Sequence, residues 1–437
     1  MTEMKNSFAA WRTMAQNEPQ RLVDRFLGKC KLLPAESRRA FIASNSDRDT
    51  LIQNIKAATA HEDAPLAGVP YMLQDLFDVD GLPTRCGAPF QAPFEVSLED
   101  GALLYHKLTS LGAALLAKTV PSEFGIDLRG RNKSFGDCPH ADGLRYICGG
   151  GAGTCAYAVS AGWAPIAFGL DSSAGIRIPA AFHGLFGFRM GNNAYAKEGV
   201  FPIVPSLESI GWVTAQPEDL QTSIEAFFPL PKIPDPAQVA TPRGYLLEDP
   251  AISLHPELKT SLMNLVRHLD IDDRPAPNKT LCQAFKESSE AFATIESREL
   301  YSIHQYWIEE SGPRYSEALL RRIEAGQICT PDKADRAASI QQHLRETMVE
   351  FFRNYDYLAI PISPTPTPVK SAWSGQLEND LLRLNAPGSL TFLPILVLPF
   401  ECDDGRHSAI QLILNPQKIH QTGKILQQVQ PFYKDAK

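Results

Sequence analysis

An α/β fold, a large mixed β-sheet core covered by helices on both faces, is the class that this 437-residue sequence predicts. Three successive stretches carry the prediction. AGVPYMLQDLFDV, Ala67 to Val79, has the apolar density and Gly/Pro entry of a strand buried on both sides. Asp100 to Leu111 puts Leu103, Leu104 and Leu108 on one side of a helix, and GAALLAKT, Gly112 to Thr119, reads as the next strand. Strand, helix and strand in that order usually form a right-handed crossover between parallel strands.

The other elements follow in order. From Ser7 to about Ala60, apolar residues recur at helical spacing (Phe8, Trp11, Met14; later Leu22, Phe26), which predicts a helical lead-in over 1–60 ahead of the main domain, 61–437. Residues 229–277 are rich in proline and poor in periodic runs, so a surface insertion is expected there, suited to a lid or a partner surface. Helical patterns return from Thr280 to Asn354. PISPTPTP, Pro361 to Pro368, marks a stiff turn before a last apolar strand, FLPILVLPF, Phe392 to Phe400.

Composition excludes several roles. Apolar residues at 44% and charged residues at 21% are ordinary for a globular chain. A net charge of −8, with both signs interspersed, offers no basic footprint for nucleic acid. There is neither a secretory leader nor a span of about 18 apolar residues, so a cytoplasmic protein that does not contact membranes is expected. The eight cysteines form no C-x-x-C pair and the ten histidines no H-x-H or H-E-x-x-H spacing, so reduced thiols are expected and neither a metal nor another cofactor.

Two glycine-rich runs carry the functional signal. ICGGGAGTCAYAVSAG (Ile147 to Gly162) opens a helix, and GLDSSAGIRIPAAFHGLFGFR (Gly169 to Arg189) follows closely. With KTVPSEFG (Lys118 to Gly125), GVFPIVPSLESIGWV (Gly199 to Val213) and GRHSAIQLI (Gly405 to Ile413), they resemble the amidase signature family over roughly Phe41 to Pro416. The resemblance implies that family's fold, and a hydrolase or acyl-transfer chemistry at carbon–nitrogen bonds run by a nucleophilic serine, a second serine in a cis peptide, and a lysine base.

The positions matching those three residues hold Gly175, Gly151 and Gln74. Glycine has no atom to form an acyl intermediate, and a glutamine amide cannot accept a proton near neutral pH. The resemblance therefore implies a catalytically silent member with no catalytic residue expected. The backbone amides of Ser172, Ser173, Ala174 and Gly175, with Asp171 and Arg177 beside them, would remain as a pocket for a small amide or acid. A protein partner, an enzyme or a second copy, is the other expected role.

The rival expectation is a displaced nucleophile. Ser173 (with Ser172 beside it) lies near the lost serine, and Cys155 sits near a helix N-terminus that could lower its pKa. Against it stands the missing base. His183 reads as a core or pocket-wall histidine, and Lys118 belongs to a KT motif that the family shares.

Overall fold

The computed structural model describes residues 6–90, 100–191, 194–228 and 240–435. Among them, eleven strands form one sheet: β1 (Ile42–Ser44), β2 (Val69–Gln74), β3 (Ala113–Thr119), β4 (Ile166–Asp171), β5 (Phe186–Arg189), β6 (Ser209–Thr214), β7 (Arg243–Leu246), β8 (Asp270–Asp272), β9 (Tyr357–Pro361), β10 (Ile395–Glu401) and β11 (His407–Leu414). Their spatial order is β1-β3-β2-β4-β6-β5-β10-β11-β9-β7-β8. β3, β2 and β4 run parallel, as do β9, β7 and β8, and antiparallel pairings join these groups through β6, β5, β10 and β11. The sheet is therefore mixed, as the sequence predicts.

Helices cover both faces. The first four are α1 (Phe8–Asn17), α2 (Pro19–Leu32), α3 (Ala35–Phe41) and α4 (Arg48–Thr59); α5 (Leu103–Ser110) makes the crossover from β2 to β3. Next come α6 (Gly153–Ser160), α7 (Arg177–Phe182), α8 (Pro217–Phe227), α9 (Pro256–Val266), α10 (Ala276–Phe285) and α11 (Ser288–Ser311). The last are α12 (Glu317–Gln327), α13 (Pro331–Phe351), α14 (Gly375–Thr391) and α15 (Thr422–Asp435). Successive side chains of a strand point to opposite faces, and β2 shows it: Tyr71 and Leu73 enter one apolar cluster, Met72 the other. No helix among the described residues is long and apolar enough to cross a membrane.

The first sixty residues fold onto the sheet. Ser7 caps α1 by accepting from the Ala10 amide, and Asp47 caps α4 by accepting from Asp49 and Thr50. Trp11, Leu22, Val23, Phe26, Leu51 and Ile55 are buried against Met72, Ala114 and Leu116. Each large apolar side chain so buried contributes roughly 1.5–3 kcal/mol, so this layer is held as firmly as the core it covers.

Residues 240–277 carry β7, α9 and β8, which extend the sheet at one edge; residues 229–239 of the expected insertion lie outside the described residues. The prolines that argue against sheet here fall where a missing N–H costs nothing: Pro256 occupies the first turn of α9, and Pro242 precedes β7.

Candidate functional site

Parallel β2 and β4 are neighbours, and their carboxyl ends bring Gln74 and Asp171 to one edge of the sheet, where α/β folds place their sites. α6 and α7 start beside them, which adds Gly151 and Gly175. The structure thus gathers Gln74, Gly151 and Gly175, far apart in sequence, into one buried cluster.

Gln74 is fully buried and both ends of its amide are used. Nε2 donates to the Gly151 carbonyl at 3.0 Å, and Oε1 accepts from the Leu170 amide at 2.8 Å. The Ala152 amide donates to the Gly175 carbonyl at 3.1 Å, which ties the two glycine-rich runs together. Lysine has three donors and no acceptor, so it could not satisfy the Leu170 N–H.

The two glycines are packed from the side a Cβ would occupy. A Cβ on Gly151 would lie 1.9 Å from the Gly125 carbonyl oxygen, and one on Gly175 would lie 2.6 Å from the Leu170 oxygen. Gly125 is brought there by a turn in which Phe124 and Gly125 both have positive φ, 50° and 73°. Among the described residues every peptide bond is trans, the one at Gly151 included.

Between β4 and α7 the backbone bends so that Ala174 takes φ 66°, a left-handed conformation that favours glycine and costs alanine about 1 kcal/mol. None of the amides of Ser172, Ser173, Ala174 and Gly175 meets an acceptor among the described residues, and all four residues are buried. Successive N–H groups without an internal acceptor are donors suited to an anion or a carbonyl oxygen.

Asp171 and Arg177 are occupied elsewhere. The Arg177 guanidinium lies 2.9 Å from Asp171 and also donates to the Asn385 carbonyl, Gln411 Oε1 and Ser389 Oγ. Arg189 approaches the same carboxylate at 3.2 Å. Burial alone would raise the Asp171 carboxyl, but the two guanidiniums outweigh it and hold the pKa below the ordinary carboxylate range. With its remaining oxygen capacity used by the Ile176 and Arg177 amides, this group fixes the turn.

The alternative nucleophiles fare differently from their sequence setting. Cys155 lies near the start of α6, yet burial pushes its thiol up to about 12, and its Sγ donates to the Phe168 carbonyl at 3.2 Å. Burial outweighs the helix terminus, so the expected lowering does not occur. No hydrogen bond joins the Ser173 hydroxyl to a basic side chain among the described residues. Lys118 is buried 2.7 Å from Asp75 and donates to the Pro83 carbonyl and Thr84 Oγ1, so it is not free to act as a base. Among the described residues no group of three or more His, Cys, Asp or Glu side chains is placed to hold a metal ion.

Sequence reasoning did not anticipate the Phe124–Gly125 turn or the second guanidinium, Arg189. Arg189 closes the run that carries the family resemblance, and a buried arginine needs a carboxylate, so that signal was present.

A family model described as Amidase matches residues 21–416. Chloroplastic outer envelope protein 64 of Arabidopsis thaliana is 24% identical over 366 residues, 78% of this chain and 61% of that protein. Amidase 1 of the same plant is 22% identical over 369 residues, 77% and 87% of the two chains. A solved amidase crystal structure superposes with a TM-score of 0.79 at 26% identity, covering 96% of this chain and 97% of its own. The chain thus spans under two thirds of the envelope protein but nearly all of the solved amidase.

Proposed function

Because the chain belongs to the amidase family, we propose that it keeps the fold's acyl-oxygen pocket without the means to cleave a bond, and so binds a small amide or carboxylic acid as a pseudoamidase. The observation that carries this reading is the backbone packing at Gly151 and Gly175. The carbonyls of Gly125 and Leu170 stand where serine side chains would begin, 1.9 and 2.6 Å from the two Cβ positions. An inactive site made by substitution alone would leave two side-chain-sized gaps; here the surrounding backbone has closed on them.

What persists is donor capacity. Four buried amides from Ser172 to Gly175, with no protein acceptor among the described residues, suit a carbonyl or carboxylate oxygen. An unpaired buried N–H costs about 1–3 kcal/mol, which an accepting ligand would recover. Docking on an enzyme partner finds less support, since the apolar face of α1–α4 is already packed on the sheet.

Thermal unfolding in the presence of simple primary amides and short-chain carboxylates tests the reading. Binding at 100 times Kd stabilises the folded state by about 2.7 kcal/mol, so the midpoint should rise with ligand concentration. A flat response across the panel, or turnover of any amide in it, would overturn the proposal.

A further inference from the structure

A second group of reactive side chains lies beside the glycine-rich run, outside the cluster described above. Cys148 Sγ is 3.7 Å from His183 Nε2, and His183 Nδ1 is held by the Pro179 carbonyl at 3.0 Å. That second contact fixes the tautomer: Nδ1 carries the proton and donates to the carbonyl, leaving the Nε2 lone pair facing the thiol. His140 stacks on His183 with ring centroids 4.0 Å apart, and its own Nε2 is bonded to the Phe182 carbonyl at 3.0 Å. Burial and the neighbouring His140 hold His183 well below its ordinary pKa, so it stays neutral and available as an acceptor at physiological pH.

Cys138 completes the group. A Cβ on Gly153, the first residue of α6, would lie 2.8 Å from Cys148 Sγ and 3.5 Å from Cys138 Sγ, so both sulfurs converge on the space that this glycine leaves open. Of the two thiols it is Cys148 that touches His183 Nε2, which assigns it the first attack and Cys138 the resolving role. Both thiols are buried, and the group reaches solvent through Asp142, 3.8 Å from His140 Nδ1 and 3.9 Å from His407 Nε2, whose side chain is half-exposed.

We propose that Cys148 and Cys138 are an oxidisable pair, a modification site at which a hydroperoxide converts two thiols into one disulfide. As the Cys148 sulfur attacks the terminal peroxide oxygen, its proton moves along the contact to His183 Nε2 only in passing, because burial disfavours a lasting imidazolium. The O–O bond breaks, the leaving alkoxide takes the proton back as an alcohol, and Cys148 becomes a sulfenic acid. Cys138 sulfur then attacks Cys148 sulfur; the S–O bond breaks and the hydroxide leaves as water with the Cys138 proton. Two thiols and one hydroperoxide yield one disulfide, one alcohol and one water. The new bond would tie the 132–146 loop to the glycine-rich run that contains Gly151.

Treatment of the intact protein with hydrogen peroxide, followed by alkylation and tryptic mapping, tests this directly. Cleavage after Lys133, Arg145 and Arg177 places Cys138 and Cys148 on different peptides. The expected product is a cross-linked pair lacking two hydrogens and released by reductant. Cys138→Ser should leave a sulfenic acid on Cys148 that a dimedone probe traps. Cys148→Ser should abolish the cross-link and leave Cys138 reduced, and His183→Asn should slow cross-linking on the order of tenfold. Oxidation of Cys30, Cys282 or Cys329 with the pair still reduced would overturn the proposal. So would oxidation of Cys138 in Cys148→Ser at the rate seen in the natural sequence; without any variant, a time course of the two peptides in the natural sequence in which Cys138 is oxidised before Cys148 would overturn it as well.

Discussion

Gln74 donates to the Gly151 carbonyl at 3.0 Å and, through its other end, accepts from the Leu170 amide, so one buried side chain bridges both glycine-rich runs to the end of β2. Gln74 thus acts as a structural clamp. Its geometry uses an acceptor as well as a donor, which only an amide of this length supplies there.

Removing that clamp should be costly. Gln74→Leu leaves a buried carbonyl and a buried N–H short of a partner, each worth about 1–3 kcal/mol, so unfolding free energy should fall by about 2–4 kcal/mol. Urea denaturation checks it: the midpoint should drop with an unchanged slope.

Restoring the family's residues should fail. The triple variant Gln74→Lys, Gly151→Ser, Gly175→Ser places two Cβ atoms against backbone oxygens at 1.9 and 2.6 Å. Overpacking costs about 1–3 kcal/mol per site, so the variant should be markedly less stable and show no amide turnover. Recovered turnover in a well-folded triple variant would mean that the backbone yields readily.

Much of this arrangement is legible in the sequence, and the rest is not for identifiable reasons. β2, α5 and β3 follow from apolar runs whose period matches their element, and the two glycine-rich runs mark the starts of α6 and α7 because close packing there tolerates little else. The closure of Gly151 is hidden, because it depends on Phe124 adopting φ 50°, a conformation its residue type disfavours and tertiary contacts impose. Cys155 shows the same limit. Sequence places it near a helix N-terminus, but only the fold reveals that burial decides its pKa. The edge strands β7 and β8 are obscured by prolines that serve α9 and the strand entry.

Asp171 should be indispensable to folding. Asp171→Asn leaves Arg177 and Arg189 buried without a counter-charge, which costs about 3–5 kcal/mol. Its folded pKa lies below the unfolded value of about 3.9, so the stabilisation is present above that value and lost as pH falls through the lower folded one. Acid unfolding monitored by circular dichroism should accordingly begin at higher pH in the variant.

Glu208 should shape the opposite limb. Its carboxylate accepts from the Ile203 and Val204 amides, but burial pushes its pKa up to about 7. The folded state therefore binds this proton more tightly than the unfolded one, whose glutamate titrates near 4.3. The resulting stability is full below about pH 4.3 and is lost as pH rises through about 7. Glu208→Gln keeps an acceptor and removes the titration, so its advantage over the natural protein should grow to at most about 4 kcal/mol by pH 8. Parallel stability curves for the two proteins would contradict this.

Covalent labelling with a serine-reactive fluorophosphonate and a thiol-reactive probe, read by intact mass on the folded protein during incubation with amides, tests the proposed catalytic silence most directly. The expected result is no adduct on Ser173 or Cys155 and no amide cleavage. A stoichiometric adduct on either residue, lost together with turnover in Ser173→Ala or Cys155→Ala, would contradict the account.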